Sequence, residues 1–217
     1  MNIQWCGNSY FVIRHNDIEI AIDPHDGYSL NLKPCKINAD YIIVTHNHFD
    51  HNAVEMAYGD KTKEVIRNYL GKKKVNGISF NFFEAFHDNA NGKLYGKVII
   101  FRLDIENINL GYLSDIGEKY NNSIKEKLYP TDVLMIPIGG VTTINYDEAI
   151  EYIDNLKPKI VIPMHYWIKG SAIPYDSINN FLNNVKYKVV EINENNIEIR
   201  NEDLPKETEI FVLNYNY

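Results

Sequence analysis

The chain has 217 residues, 45% of them apolar and 24% charged, a balance that fits one globular domain over residues 1–217 and speaks against a disordered or fibrous chain. A net charge of -7 is the wrong sign for a broad nucleic-acid surface, so nucleic acid is not an expected partner. No stretch approaches the ~20 apolar residues of a membrane span, and the N-terminus Met1-Asn2-Ile3-Gln4-Trp5-Cys6 lacks the basic and apolar regions of a signal peptide; no membrane partner and a cytoplasmic location are expected.

Short apolar runs open the chain. Ile3-Gln4-Trp5, Tyr10-Phe11-Val12-Ile13 and Ile18-Glu19-Ile20-Ala21-Ile22 predict strands, with Asn16-Asp17 as a tight hairpin between the last two. Asp23-Pro24 ends the third, and His25 follows as a loop histidine at a strand end, a candidate for a pocket. Cys6 and Cys35 form no Cys-x-x-Cys pair, so neither a disulfide nor a thiolate zinc site is expected, and both read as structural. Tyr41-Ile42-Ile43-Val44 predicts a buried strand, and residues 52–57 a helical turn or two capped by Asn52. Residues 61–69 fit a short strand or a short helix equally, and Lys72-Lys73-Lys74 reads as a solvated turn. Further strands are predicted over 78–83, 97–103, 108–113, 132–137 and 160–162. Helices are predicted over 123–128 and 146–156; the second places Ala149, Ile150, Ile153 and Leu156 on one face and stops before Pro158. From Lys188 the tail predicts strands around Asn-rich turns.

The chemistry concentrates in Thr45-His46-Asn47-His48-Phe49-Asp50-His51, where a core strand ends. In extended backbone His46, His48 and Asp50 face the same way, and His51 joins them where the chain bends. Imidazole nitrogen and carboxylate oxygen are ligands for zinc, manganese or iron. Downstream, His87, Asp115 and His165 each follow another predicted strand. Strand ends fix backbone position while the loops beyond leave room for a substrate, so these seven residues read as one metal centre.

The same residues resemble the metallo-β-lactamase superfamily, and within it the lactonase-like branch of metal-dependent hydrolases related to ascorbate-phosphate lactonase. The resemblance is carried by His46-x-His48-x-Asp50-His51 with His87, Asp115 and His165, and by Trp5-Cys6-Gly7-Asn8-Ser9, Ala21-Ile22-Asp23-Pro24, Met135-Ile136-Pro137-Ile138-Gly139-Gly140 and Ile162-Pro163-Met164-His165-Tyr166, across roughly residues 1–170. Relatives usually keep an Asn-Thr pair where this chain has Val98-Ile99, and a Tyr-Thr pair near Thr142-Thr143.

The resemblance implies an α/β fold, an αββα sandwich of two mixed β-sheets flanked by helices. It implies two divalent metal ions, zinc first, with manganese or iron as the alternatives. His46, His48 and His87 would hold one, Asp50, His51 and His165 the other, with Asp115 bridging. A hydroxide shared by the ions would attack an ester, a lactone or a related bond of a small-molecule substrate, with Asp50 as the catalytic residue that orients it or relays its proton. A phosphodiesterase or nuclease using the same two-metal site is the second reading, and a non-catalytic metal-binding protein the third. Tyr146, Tyr166, Trp167 and Lys169 are candidates to line the pocket.

Overall fold

The computed structural model describes residues 1–215, arranged as two mixed β-sheets whose apolar faces meet in one core. The first sheet contains β1 (Asn2–Trp5), β2 (Phe11–His15), β3 (Ile18–Ile22), β4 (Tyr41–Val44), β5 (Glu64–Arg67) and, paired outside β1, β13 (Asn196–Glu198). Its order is β13-β1-β2-β3-β4-β5. The second is built from β6 (Gly71–Val75), β7 (Ile78–Phe86), β8 (Lys97–Ile105), β9 (Ile108–Tyr112), β10 (Val133–Pro137), β11 (Ile160–Met164), β12 (Lys188–Ile192) and β14 (Glu209–Leu213), in the order β12-β14-β11-β10-β9-β8-β7-β6.

Local sequence explains most of these elements. His15 pairs with Ile18, so Asn16-Asp17 closes the β2–β3 hairpin, with Asn16 at φ 50°, the left-handed backbone such a turn needs. Along β7 the residues Ile78, Phe80 and Phe82 alternate inward. Strands β10 and β11 are buried at every position, as central parallel strands with a covered outer face must be. Tyr112 joins the layers: its ring centroid lies 6.4 Å from that of Phe11 of the first sheet and 5.1 Å from that of Phe101, which in turn meets Phe82 at 5.4 Å within the second sheet.

The helices are α1 (Asn122–Leu128), α2 (Tyr146–Leu156) and α3 (Ile178–Leu182). Asn145 and Glu148 form a reciprocal capping box at the start of α2, whose buried side is Ala149, Tyr152, Ile153 and Leu156. Helices α1 and α2 lie on the second sheet, and α3 packs against α2. The outer face of the first sheet carries a smaller core of Cys6, Tyr10, Val12, Cys35, Ile42 and Val44, covered by loops and a 3₁₀ turn over Val54–Met56.

Three expectations are corrected here. Cys6 and Cys35 are joined in a disulfide, their Cα atoms 5.8 Å apart; a separation of 29 residues conceals a contact that the loop over the first sheet creates. Lys72-Lys73-Lys74 is not a turn but the body of β6, an edge strand, where lysines discourage pairing with a further chain. Asn52 does not cap the turn after the histidines; Ala53 holds that position, and the Asn52 amide instead donates to Asn47 Oδ1 at 2.7 Å. Residues 61–69 resolve as the strand β5, paired in parallel with β4.

Strands β3 and β4 are parallel in the first sheet, and β9, β10 and β11 are parallel in the second, with β7 in the same sense through two antiparallel steps. Their carboxyl ends meet along one seam, tied by the Ile99 N–H donating to the Thr45 carbonyl at 3.1 Å. Phe101→Ala removes a fully buried ring that supports Tyr112, the ring that meets the first sheet. Unfolding in urea is expected to show a loss of ~3–5 kcal/mol; a loss below ~1 kcal/mol would mean that the layers do not depend on this ring.

Candidate metal centre

Beyond β4 the chain leaves the sheet at Thr45, which Asp23 holds by two bonds: the Thr45 N–H donates to Oδ1 at 2.8 Å and its hydroxyl to Oδ2 at 2.7 Å. A turn over 49–51 then brings the His51 N–H onto the His48 carbonyl at 3.1 Å. The bend at Asp50 places His51 on the same side as its neighbours.

The seven predicted residues fall into two groups of converging donor atoms, and a third group, Asp23 with His46 and His51, overlaps both. In the first, His48 Nδ1 lies 3.1 Å from His46 Nε2 and 3.2 Å from His87 Nε2. His87 reaches this point because its Nδ1–H donates to the Thr142 carbonyl at 3.0 Å, leaving the Nε2 lone pair facing inward. The second group is Asp50, His51, Asp115 and His165. Asp115 Oδ2 lies 2.9 Å from His51 Nε2 and 3.1 Å from His165 Nε2, and also 3.7 Å from His87 and 3.9 Å from His46 in the first group. One carboxylate oxygen thus stands between both sets.

Burial and charge work against each other here. Burial, followed by the charge of His51, pushes the His46 imidazole down to about 2, and burial holds His87 low as well. Burial would likewise raise the Asp115 and Asp50 carboxyls, but His165 and His51 beside Asp115, and His51 beside Asp50, hold both below the usual range. His51 goes the other way: Asp115, Asp50 and Asp23 overcome its burial and raise it well above its ordinary value. His165 Nδ1 is buried without a partner, and its Nε2 faces only the Asp115 and Asp50 carboxylates. Unpartnered buried nitrogen and converging carboxylates cost free energy unless a cation satisfies them. Imidazole and carboxylate donors whose atoms lie within 4.8 Å of one another fit a divalent ion such as zinc, manganese or iron.

A Beta-lactamase superfamily domain profile matches residues 2–165. A UPF0173 metal-dependent hydrolase of Nanoarchaeum equitans is 32% identical, over 81% of this chain and 89% of its own. A solved chain from Thermotoga maritima, described as a candidate Zn-dependent hydrolase of the metallo-beta-lactamase superfamily, is 29% identical and superposes with a TM-score of 0.77 over 98% of this chain and 97% of its own. The chain belongs to the metallo-β-lactamase superfamily. With these relatives it is a metal-dependent hydrolase. A solved chain from Parabacteroides distasonis, 17% identical with a TM-score of 0.69 over 96% of this chain and 91% of its own, shares the fold.

Around this metallo-β-lactamase centre stand residues that sequence did not single out. Asn8 Nδ2 donates to Asp50 Oδ2 at 3.0 Å, and the Ser9 hydroxyl to Asp115 Oδ1 at 3.2 Å. Asp23, 3.2 Å from His51 Nδ1, also accepts from the Tyr112 hydroxyl at 2.7 Å; its oxygens are so fully engaged that it orients His51. Its place at the end of β3, within Ala21-Ile22-Asp23-Pro24, was the available signal. Tyr175 packs its ring 4.1 Å from that of His165; burial, then the Asp115 and Asp50 charges, push its hydroxyl above the ordinary range. No single-residue pattern marks it.

The pocket candidates lie elsewhere. His25 is buried, its Nε2 3.2 Å from the Gly7 carbonyl and its Nδ1 accepting from the Gly27 N–H at 3.0 Å, so it fastens two loops; burial pushes it down to about 4. Tyr146 packs on the core. Tyr166, Trp167 and Lys169 line a separate groove of about 500 Å³ with Trp5, which none of the seven candidate ligands lines. No helix among the described residues is long and apolar enough to cross a membrane.

An incoming cation must displace the proton that His51 holds among its carboxylates. Zinc titrations in buffers of different ionisation enthalpy are expected to report about one proton released at pH 7. Apparent affinity should rise with pH until the raised His51 pKa is passed. The metal-free fold should lose stability as pH rises through that same value, since the protonated ring is what the carboxylates hold. Enthalpies independent of buffer would refute the displacement.

Gly139 offers a second test, because a Cβ there would collide with the His165 carbonyl oxygen. Gly139→Ala is expected to lower stability by ~1–3 kcal/mol and to weaken zinc uptake, read by denaturation and by metal analysis. Unchanged metal content and stability would show that the approach is not needed.

Proposed function

We propose that the protein is a binuclear hydrolase in which His46, His48 and His87 hold one divalent ion, Asp50, His51 and His165 hold a second, and Asp115 bridges them. The observation that carries this is the position of Asp115 Oδ2, within 4 Å of donor nitrogens from both groups. Zinc suits the donor set best, since borderline imidazole nitrogen predominates and the cysteines are bonded to each other. When bound, such ions supply Lewis acidity that ionises water near neutral pH and polarises the scissile oxygen.

The chain's own residues supply orientation and proton handling. Asp50 is fixed by the Asn8 amide on Oδ2, which leaves Oδ1 to accept a proton from the attacking water and return it to the departing alcohol. The Ser9 hydroxyl anchors Asp115 through Oδ1 and so turns Oδ2 towards the histidines. Asp23, braced by Thr45 and Tyr112, keeps the His51 ring in place. The bond cleaved is that of an ester or lactone, and the chain acts from the cytoplasm on a small molecule.

Asp50→Asn keeps the shape of the side chain and removes its charge and basicity. Turnover of an ester by the zinc-loaded variant is expected to fall by at least ~10²-fold, with folding near normal and weaker retention of one ion. Full turnover with full metal content would remove Asp50 from the mechanism. Metal analysis of the parent chain is expected to saturate at two ions; saturation at one would overturn the binuclear assignment.

A further inference from the structure

Apolar side chains are exposed beside the candidate ligands. Phe49, between His48 and Asp50, is 58% exposed. Tyr95 is 44% exposed although its ring centroid lies 5.5 Å from that of His87. Val141 is 65% exposed and holds φ 61°, a left-handed backbone that β-branched residues avoid. The next residue, Thr142, turns its carbonyl onto His87. Half-buried Tyr175 packs on His165, in the other donor group. These four residues come from the loops after β4, β7, β10 and β11, so apolar surface approaches the centre from several directions.

Isolated exposed apolar residues are ordinary, but a group of them bordering a buried polar centre marks a surface that something else covers. Backbone strain at Val141 supports this independently, since strained residues gather where function requires them. Charge narrows the chemistry. Among the described residues every ion pair made by Asp23, Asp50 and Asp115 is with a histidine, and none is with lysine or arginine. Nor does any of the rim side chains Phe49, Tyr95, Val141 and Tyr175 carry a charge, so the surface they form offers an anionic group no fixed partner.

We infer that the substrate is an uncharged ester or lactone whose non-reacting part is apolar, and that Phe49, Tyr95, Val141 and Tyr175 contact that part; this rests on the hydrolase assignment above and narrows it. Tyr95 flanks one donor group and Tyr175 the other, so an apolar chain leaving the reacting carbonyl meets an aromatic ring on either side.

The test uses the full zinc-loaded chain with p-nitrophenyl acetate, butyrate, hexanoate and octanoate, and with bis(p-nitrophenyl) phosphate. The expected result is a kcat/KM that rises about 2–4-fold per added methylene over the shorter esters, with the phosphodiester slower than any of them. Calorimetry supplies a readout without turnover: hexanoate ion is expected to bind at least ~10-fold more tightly than acetate ion. Tyr95→Ala and Tyr175→Ala should each flatten both gradients at unchanged metal content, whereas Tyr175→Phe should keep them. Should Tyr175→Ala lose its zinc, Tyr95→Ala and Val141→Ser carry the test from the other side. A flat or falling dependence on chain length, or a preference for the phosphodiester, overturns the inference and leaves a hydrolase standing. No turnover of any ester or phosphodiester by fully metallated protein overturns the proposed ester or lactone cleavage, and this inference with it.

Discussion

Asp23, Asp50 and Asp115 are carried out of solvent into the seam between the two sheets, and the only partners their charges meet in ion pairs among the described residues are histidines. Taking charged groups out of water is costly unless each is paired and hydrogen-bonded. In the metal-free protein a proton on His51 meets part of that need, while His165 is left with a buried, unbonded Nδ1. The arrangement makes physical sense as a receptacle for cations. The surrounding hydrogen bonds from Asn8, Ser9, Thr45 and Tyr112 hold the acids in the geometry that cations require.

The fold makes this concentration affordable by keeping the polar groups at strand ends. Strands β10 and β11 are wholly apolar and buried along their length, and only past them do Gly139 and His165 appear. Several residues at these ends adopt left-handed backbone: Asn8 at φ 49°, Asp23 at 49°, Ser114 at 49°, Val141 at 61° and His165 at 52°. The sharp reversals aim them back across the seam, at a conformational cost that the packed core over-determines.

Periodicity worked where a residue's surroundings follow from its neighbours in sequence. The helix Tyr146–Leu156, with its stop before Pro158, was legible because amphipathic spacing is local; its Asn145 cap emerged only with the structure. The β2–β3 hairpin was legible because Asn16-Asp17 accepts the backbone it demands. Lys72-Lys73-Lys74 misled because charge suggests solvent, and an edge strand is both solvated and paired. The Cys6–Cys35 bond and the contact of His25 with the Gly7 carbonyl were hidden because their partners come from loops distant in sequence.

Most strands, the family motifs and the seven residues capable of ligating a metal were present in the sequence itself, since ligand type and strand-end position are properties of the chain read in order. The resemblance already implied which donors share an ion, and the structure brings His46, His48 and His87 together in one group and Asp50, His51, Asp115 and His165 in another. What tertiary structure alone decided was the set of contacts around them. The Asn8 and Asp23 contacts and the approach of Tyr95 and Tyr175 depend on how two sheets twist and pack. Such contacts are set by summed burial across the whole core, and no local pattern of residues encodes them.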